Sequence, residues 1–181
     1  MNSSLSSPPP LSAGTPGWPG CGDWWIRSRW PAKCWSSPVR QAWARRLLAD
    51  TADRARSAGV QVLLVTGRES VSRLAFAGLH QLLRPVLSSA ATLPRRQAEA
   101  LAGALGLAAD PVAPDPLPTG MAVLTLLSDL SERSPVLVIA DDAQWLDRSS
   151  LDALSFAGSR LDAERVVLLV GARGQAPPPG L

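Results

Sequence analysis

The residues best placed to do chemistry are Asp141 and Asp142, which interrupt the stretch Pro135-Val-Leu-Val-Ile-Ala-Asp-Asp-Ala-Gln-Trp-Leu-Asp147. The apolar run from Val136 to Ala140 has the composition of a parallel strand buried on both faces, and it stops abruptly at the two carboxylates. Such a strand delivers its last residues to the carboxyl end of a sheet, where open α/β sheets bind their ligands. A carboxylate in that crevice can hold Mg²⁺ against the phosphates of a nucleotide. On this reading Asp141 is the metal-side carboxylate and Asp142 orients water. The plainer reading is that both acids cap the turn that follows, since apolar runs ending in an acid are common.

The elements that must position these acids alternate between helical and strand patterns. Gln41 to Ala58 is helix-forming, with Ala42, Leu47, Leu48 and Ala52 available to a core and Gly59 placed to stop it. Val60 to Thr66 reads as a buried, β-branched strand that ends at Gly67. Ser70 to Leu87 is amphipathic, with Leu74, Ala77, Leu82, Val86 and Leu87 near helical spacing and Pro85 bending or ending it. Pro94 opens the next helix as a first-turn residue, followed by Ala98, Leu101, Ala102 and Leu105. The prolines from Asp110 to Pro118 predict an extended surface loop, and Thr119 is the expected cap of a helix carrying Val123, Leu124, Leu127 and Leu130. Ser149 with Asp152 resembles the start of a capping box, and Arg165 to Gly171 is a further buried strand. His80, the single histidine, reads as a packing or hydrogen-bonding residue, because one histidine makes no metal site alone.

Two segments carry a resemblance. Asp141-Asp-Ala-Gln-Trp-Leu-Asp147 resembles the extended Walker B segment of the large ATP-binding regulators of the LuxR family, signal-transduction ATPases with a P-loop fold. Phe76-Ala-Gly-Leu-His-Gln-Leu-Leu-Arg-Pro85 is similar to the helix those proteins carry between their second strand and the Walker B strand. The resemblance covers roughly Leu47 to Leu181 and fails before it. It implies Mg-ATP as the ligand and nucleoside triphosphate hydrolysis as the activity of the intact family. Backbone N–H groups and a lysine would cradle the phosphates, Asp141 would hold Mg²⁺ and Asp142 would orient water. Arg173 stands where the family's sensor residue reports on the terminal phosphate, although it also reads as a surface arginine in the loop leading to Pro177-Pro-Pro-Gly-Leu181. Trp145 and Asp147 match the family too; the first reads most simply as a core or interface anchor, and no mechanism for the second follows from the sequence. The family's helix-turn-helix lies at its far C-terminus, so DNA is an expected partner only through a C-terminal domain absent here. The chain is expected to stop before a later strand and a helical lid.

The segment before Gln41 behaves differently. It holds Ser-Ser-Pro-Pro-Pro, Gly-Trp-Pro-Gly-Cys-Gly and Trp24, Trp25, Trp30 and Trp35 among arginines, with no sustained period, and reads as a disordered arm. Tryptophan beside arginine can stack on bases and grip phosphates, which makes a nucleic-acid-binding arm a further reading. A simpler account is a displaced reading frame. Trp43 is TGG and Ala44 begins GC, so a frame shifted by two bases reads glycine across that junction. Lysine and threonine can follow from the codons of Ala44, Arg45 and Arg46. Working upstream, Cys34 to Trp43 can supply Leu-Val-Ile-Ala-Gly-Glu-Ala-Gly-Val, which completes a strand and a phosphate loop. As translated, the chain has no G-x-x-x-x-G-K-[ST], and Lys33 cannot stand in for its lysine.

Composition limits the remaining classes. With 181 residues and 46% hydrophobic content the chain can bury a sizeable core. Its net charge is +3, and the basic excess lies before Leu47, where six cations stand against one anion, which leaves the residues beyond Arg46 mildly acidic. Cys21 and Cys34 are too few for a zinc site or a disulfide framework and read as incidental thiols, so a reducing, cytoplasmic setting is expected. No apolar run approaches the roughly 18 residues of a membrane span, so no membrane partner is expected, and no signal peptide is evident. A hydrolase of another class lacks its residues: there is no G-x-S-x-G and no Cys/His pair.

These readings predict an α/β fold: a P-loop NTPase-like parallel sheet with flanking helices, incomplete because its first strand and phosphate loop are missing or scrambled. Residues 1–40 are the expected arm, out of frame, and residues 41–181 the partial ATPase domain carrying the Walker B and sensor strands. The strands from Val60 and Val136 are expected to lack a neighbour, and open edges leave self-association possible. The expected function is that of a fragment of a regulator's ATP-binding switch domain, with ATP and Mg²⁺ binding impaired by the missing loop. A degenerate, non-enzymatic interaction domain is the alternative.

Overall fold

The run from Val136 forms a strand that is buried at all six of its positions. A computed structural model gives the reason, describing residues 24–29, 32–37, 41–108 and 114–173, with side chains from Arg45 onward. Among these residues the strands are β1 (Trp24–Arg29), β2 (Ala32–Ser37), β3 (Gln61–Thr66), β4 (Val136–Asp141) and β5 (Val166–Arg173). The helices are α1 (Gln41–Ser57), α2 (Ala77–Leu83), α3 (Arg95–Ala104), α4 (Pro116–Arg133) and α5 (Arg148–Gly158). The sheet order is β2-β1-β5-β4-β3. β3, β4 and β5 are mutually parallel, whereas β1 runs antiparallel to both β5 and β2.

Strand alternation sends the residues of β4 to two cores. Leu137 and Ile139 meet Leu48 and Ala52 of α1 on one face. Val136, Val138 and Ala140 enter a larger cluster with residues of α2 to α5, among them Leu79, Leu83, Leu101, Leu126, Leu127 and Leu154. Each large side chain so buried contributes about 1.5–3 kcal/mol relative to exposure. The product is an α/β fold in which a three-stranded parallel sheet is flanked by helices. No helix among the described residues is long and apolar enough to cross a membrane.

Several sequence expectations are revised. The segment expected to be an arm without regular structure carries β1 and β2, paired from Trp24↔Ser37 to Arg29↔Ala32. The exposed backbone of β5 explains why pairing occurs without a side-chain pattern: a sheet edge offers unpaired N–H and C=O groups to any extended segment. β1 takes it in the register Trp24↔Arg173 to Arg27↔Val170. The remaining residues of the arm, 1–23 included, lie outside the described ones. The strand from Val136 lacks no neighbour, because β3 and β5 flank it. β3 is an outer strand, consistent with Leu64 being 38% exposed.

Helix boundaries move for local reasons. The single helix expected over Ser70 to Leu87 is a 3-10 turn at Glu69–Val71, then α2, then a 3-10 run at Arg84–Thr92. Phe76 in a left-handed conformation sets the start of α2, and Pro85, which has no N–H to donate, stands where the helix gives way. Pro94 precedes α3 instead of lying in its first turn. α4 begins within the expected loop, because Pro116 and Pro118 fall in the first turn, where backbone N–H groups have no partner to lose. Its cap is Asp115, whose side chain accepts from the Leu117 N–H at 3.2 Å. Thr119 is fully buried and donates its hydroxyl to the Asp115 carbonyl at 2.7 Å. Asp147, not Ser149, caps α5.

Candidate functional site

Parallel pairing places the acids at a rim. Thr66 of β3 lies beside Asp141 of β4, and the Gly67 N–H donates to the Asp141 carbonyl at 2.8 Å, extending the ladder by one bond. The chain then turns sharply. Asp142 adopts φ 49 and ψ 44, a left-handed conformation that Asp tolerates better than most residues, and its carbonyl accepts from the Trp145 N–H at 2.9 Å. This tight turn packs directly on Gly67. A Cβ there would collide with the Asp142 carbonyl oxygen and come within 2.9 Å of Leu146 N, so glycine is required by close approach.

Asp142 is the centre of an ion-pair cluster. Its side chain is only 3% exposed, and both carboxylate oxygens are taken. Oδ2 pairs with Arg45 Nη2 of α1. Oδ1 accepts from Arg173 Nε at 3.1 Å and from Gln144 Nε2 at 3.1 Å. Gln144 closes a loop by accepting the Arg173 backbone N–H on its Oε1 at 2.9 Å, which fixes the end of β5 to the turn after β4. Asp141 spends Oδ1 on the Asp142 N–H at 2.8 Å, and its Oδ2 faces Arg45 Nε at 3.7 Å. The guanidinium groups themselves are accessible, with Arg45 half exposed and Arg173 40% exposed.

The two carboxyls differ in acidity. Burial raises the pKa of Asp141 above the ordinary carboxylate value, and the neighbouring negative charge of Asp142 adds to the rise. Burial also pushes Asp142 upward, but hydrogen bonds from Arg45 and Gln144 and the charges of Arg173 and Arg45 outweigh it, leaving Asp142 below the ordinary value. Asp142 is therefore the firmly ionised member.

The sequence-predicted residues Asp141, Asp142 and Arg173 are brought together. His80 sits half-buried in α2, and Trp145 half-buried in the turn. Sequence reasoning overlooked Arg45 and Gln144, and for Asp147 it offered no role. The signal available for Arg45 was charge: a buried acid pair at a sheet rim needs compensating cations, and α1 is rich in arginine. Asp147 proves to be a double cap. Oδ1 accepts from the N–H groups of Phe76 at 2.7 Å and Ser150 at 2.9 Å; Oδ2 accepts from the Gly78 N–H at 2.9 Å and the Ser150 hydroxyl at 2.8 Å. Ser150 Oγ in turn accepts from the Leu79 N–H at 2.7 Å. The first turns of α2 and α5 are thus satisfied by one buried carboxylate and one hydroxyl.

Mg²⁺ requires oxygen ligands with free lone pairs in a near-octahedral array. Asp142 has both oxygens engaged by cations or an amide, Asp141 keeps one oxygen facing a guanidinium, and two positive charges already balance the two carboxylates. The acid pair in this arrangement does not fit a divalent cation. Among the described residues, no group of three or more His, Cys, Asp or Glu side chains is disposed to hold one. No protein-family model matches the chain, and no curated protein or solved structure matches it either.

Proposed function

We propose that the chain is a nucleotide-switch module of the kind found in the large LuxR-family regulators, in a form that does not hydrolyse ATP. The observation that carries this reading is the placement of Asp141 and Asp142 at the carboxyl end of a central parallel strand, with Arg173 brought to them from the adjacent strand. That rim is where open α/β sheets bind ligands. In the intact architecture Asp141 would face the metal of Mg-ATP, Asp142 the attacking water and Arg173 the terminal phosphate.

Phosphoryl transfer depends on positioning and on charge stabilisation at the transferred group. This chain has no G-x-x-x-x-G-K-[ST] to supply either, and β1, beside β5, runs opposite to a strand that could lead into such a loop at the same rim. Regulation of DNA would belong to a domain outside these residues. The test is to titrate Mg-ATP into the purified chain and to measure phosphate release. The reading predicts no turnover; saturable binding with steady hydrolysis would refute it.

The closed ion-pair cluster also favours a second reading, a non-enzymatic interaction domain in which the rim only holds α1 and β5 to the sheet. The two differ in what happens when a phosphate loop is supplied: the first gains nucleotide affinity and the second does not.

A further inference from the structure

We infer that Arg45 takes the place of a divalent cation at the acid pair, so that the rim is locked without metal and becomes a cation site only when Arg45 is removed. The inference rests on the reading of Asp141 and Asp142 as a metal-side pair, and it explains why a pair so placed does not fit Mg²⁺ here. Three observations carry it. Arg45 spans both acids, with Nη2 on Asp142 Oδ2 and Nε 3.7 Å from Asp141 Oδ2. These are the two oxygens left after Arg173, Gln144 and the Asp142 N–H take the others. Arg45 also arrives from α1, an element separate from the acids, so its removal leaves the hydrogen bonds of the turn intact.

The exchange is electrostatically sensible. A buried carboxylate must be paired, and a guanidinium satisfies it with charge and hydrogen bonds together. A divalent cation would have to displace that guanidinium and sit close to a second, Arg173, against mutual repulsion. With Arg45 gone, Asp142 Oδ2 and Asp141 Oδ2 are free, and the local balance becomes two negative charges against one positive. The site then attracts a cation instead of excluding one.

The experiment uses Mn²⁺ alone as probe, with the loss of its free paramagnetic resonance signal as readout, on the unaltered chain and on Arg45→Ala. Alanine favours the helix, and Arg45→Gln serves as a second variant if the first folds poorly. Far-UV circular dichroism checks that each is folded. The expected result is no stoichiometric uptake by the unaltered chain and an affinity at least about tenfold higher in either variant, with a Mn²⁺-dependent rise in melting temperature. Adding Asp142→Asn to the variant should abolish the gain. If the unaltered chain takes up Mn²⁺ as well as the variants do, Arg45 occupies no cation's place, while the reading of the acid pair survives. If folded variants take up none, both the inference and the metal-side reading are overturned.

Discussion

The carboxylate of Asp147 accepts a hydrogen bond from the backbone N–H of Phe76 at 2.7 Å, across a sequence separation of 71 residues. One bond thereby joins the turn after β4 to the start of α2, and it gives Asp147 the physical role that its place in the sequence did not disclose. Phe76 has φ 60, an unfavourable conformation for a large aromatic residue, and the fixed acceptors on Asp147 hold it there.

Replacing Asp147 by alanine should therefore be severe. Four donors lose their partner, and those of Phe76, Gly78 and Ser150 lie in buried surroundings. A loss of about 3 kcal/mol or more is expected, from the combined cost of two caps and unsatisfied buried N–H groups. Asp147→Asn keeps one acceptor oxygen and should cost less. Urea denaturation measures both; a loss below about 0.5 kcal/mol for alanine would show that the double cap carries little of the fold.

Gly67 and Gly59 should respond differently to alanine. At Gly67 the added methyl meets the backbone of Asp142 and Leu146, which cannot rotate away, so overpacking costs about 1–3 kcal/mol and displaces the turn that carries the acids. At Gly59 the space is open but φ is +77, so the cost is only the left-handed backbone, about 1 kcal/mol. Equal losses at both positions, measured by thermal denaturation, would contradict the packing of the turn on Gly67.

Arg45 and Arg173 should behave as a coupled pair. Each shares Asp142 with the other, so removing either leaves the buried carboxylate one cation, and the half-exposed position of each arginine limits the single loss to about 1 kcal/mol. Removing both leaves Gln144 as the one side-chain partner among the described residues, and an almost fully buried charge. The double variant should lose about 3 kcal/mol or more, exceeding the sum of the singles. Simple additivity in a double-mutant cycle would refute the shared-anchor arrangement.

The coding DNA offers an independent check. Reading it from the start codon through Leu47 in all frames should reveal Gly-x-x-x-x-Gly-Lys-Thr in the frame displaced by two bases. Its absence from every frame would leave residues 1–46 in need of another explanation.

Sequence patterns made the parallel core legible. Val136 to Ala140 and Arg165 to Gly171 are continuous apolar runs, and that continuity reports burial on both faces, which the flanking helices provide. The rim acids were legible because they end such a run. What stayed hidden depends on distant partners. Asp147 caps α2 through backbone N–H groups, which leave no mark in side-chain type, and Arg45 is one of several arginines whose selection for the acid pair is made by the docking of α1. The β1–β5 pairing was invisible for a similar reason, since the edge of β5 supplies the ladder and the paired segment need show no alternation. Asp115 was passed over as a cap because the prolines beside it suggested a loop, although their missing N–H groups suit a first helical turn.

The central proposal is that the body of this chain is a nucleotide-switch domain deprived of its phosphate loop, and restoring the loop tests it most directly. The run from Cys34 to Arg46 would be replaced by Leu-Val-Ile-Ala-Gly-Glu-Ala-Gly-Val-Gly-Lys-Thr, and Mg-ATP affinity measured by calorimetry beside the unaltered chain, with folding checked by circular dichroism. The account predicts saturable, Mg²⁺-dependent binding in the restored chain and none in the unaltered one. A restored chain that folds and still binds no nucleotide would contradict the claim and favour the interaction domain.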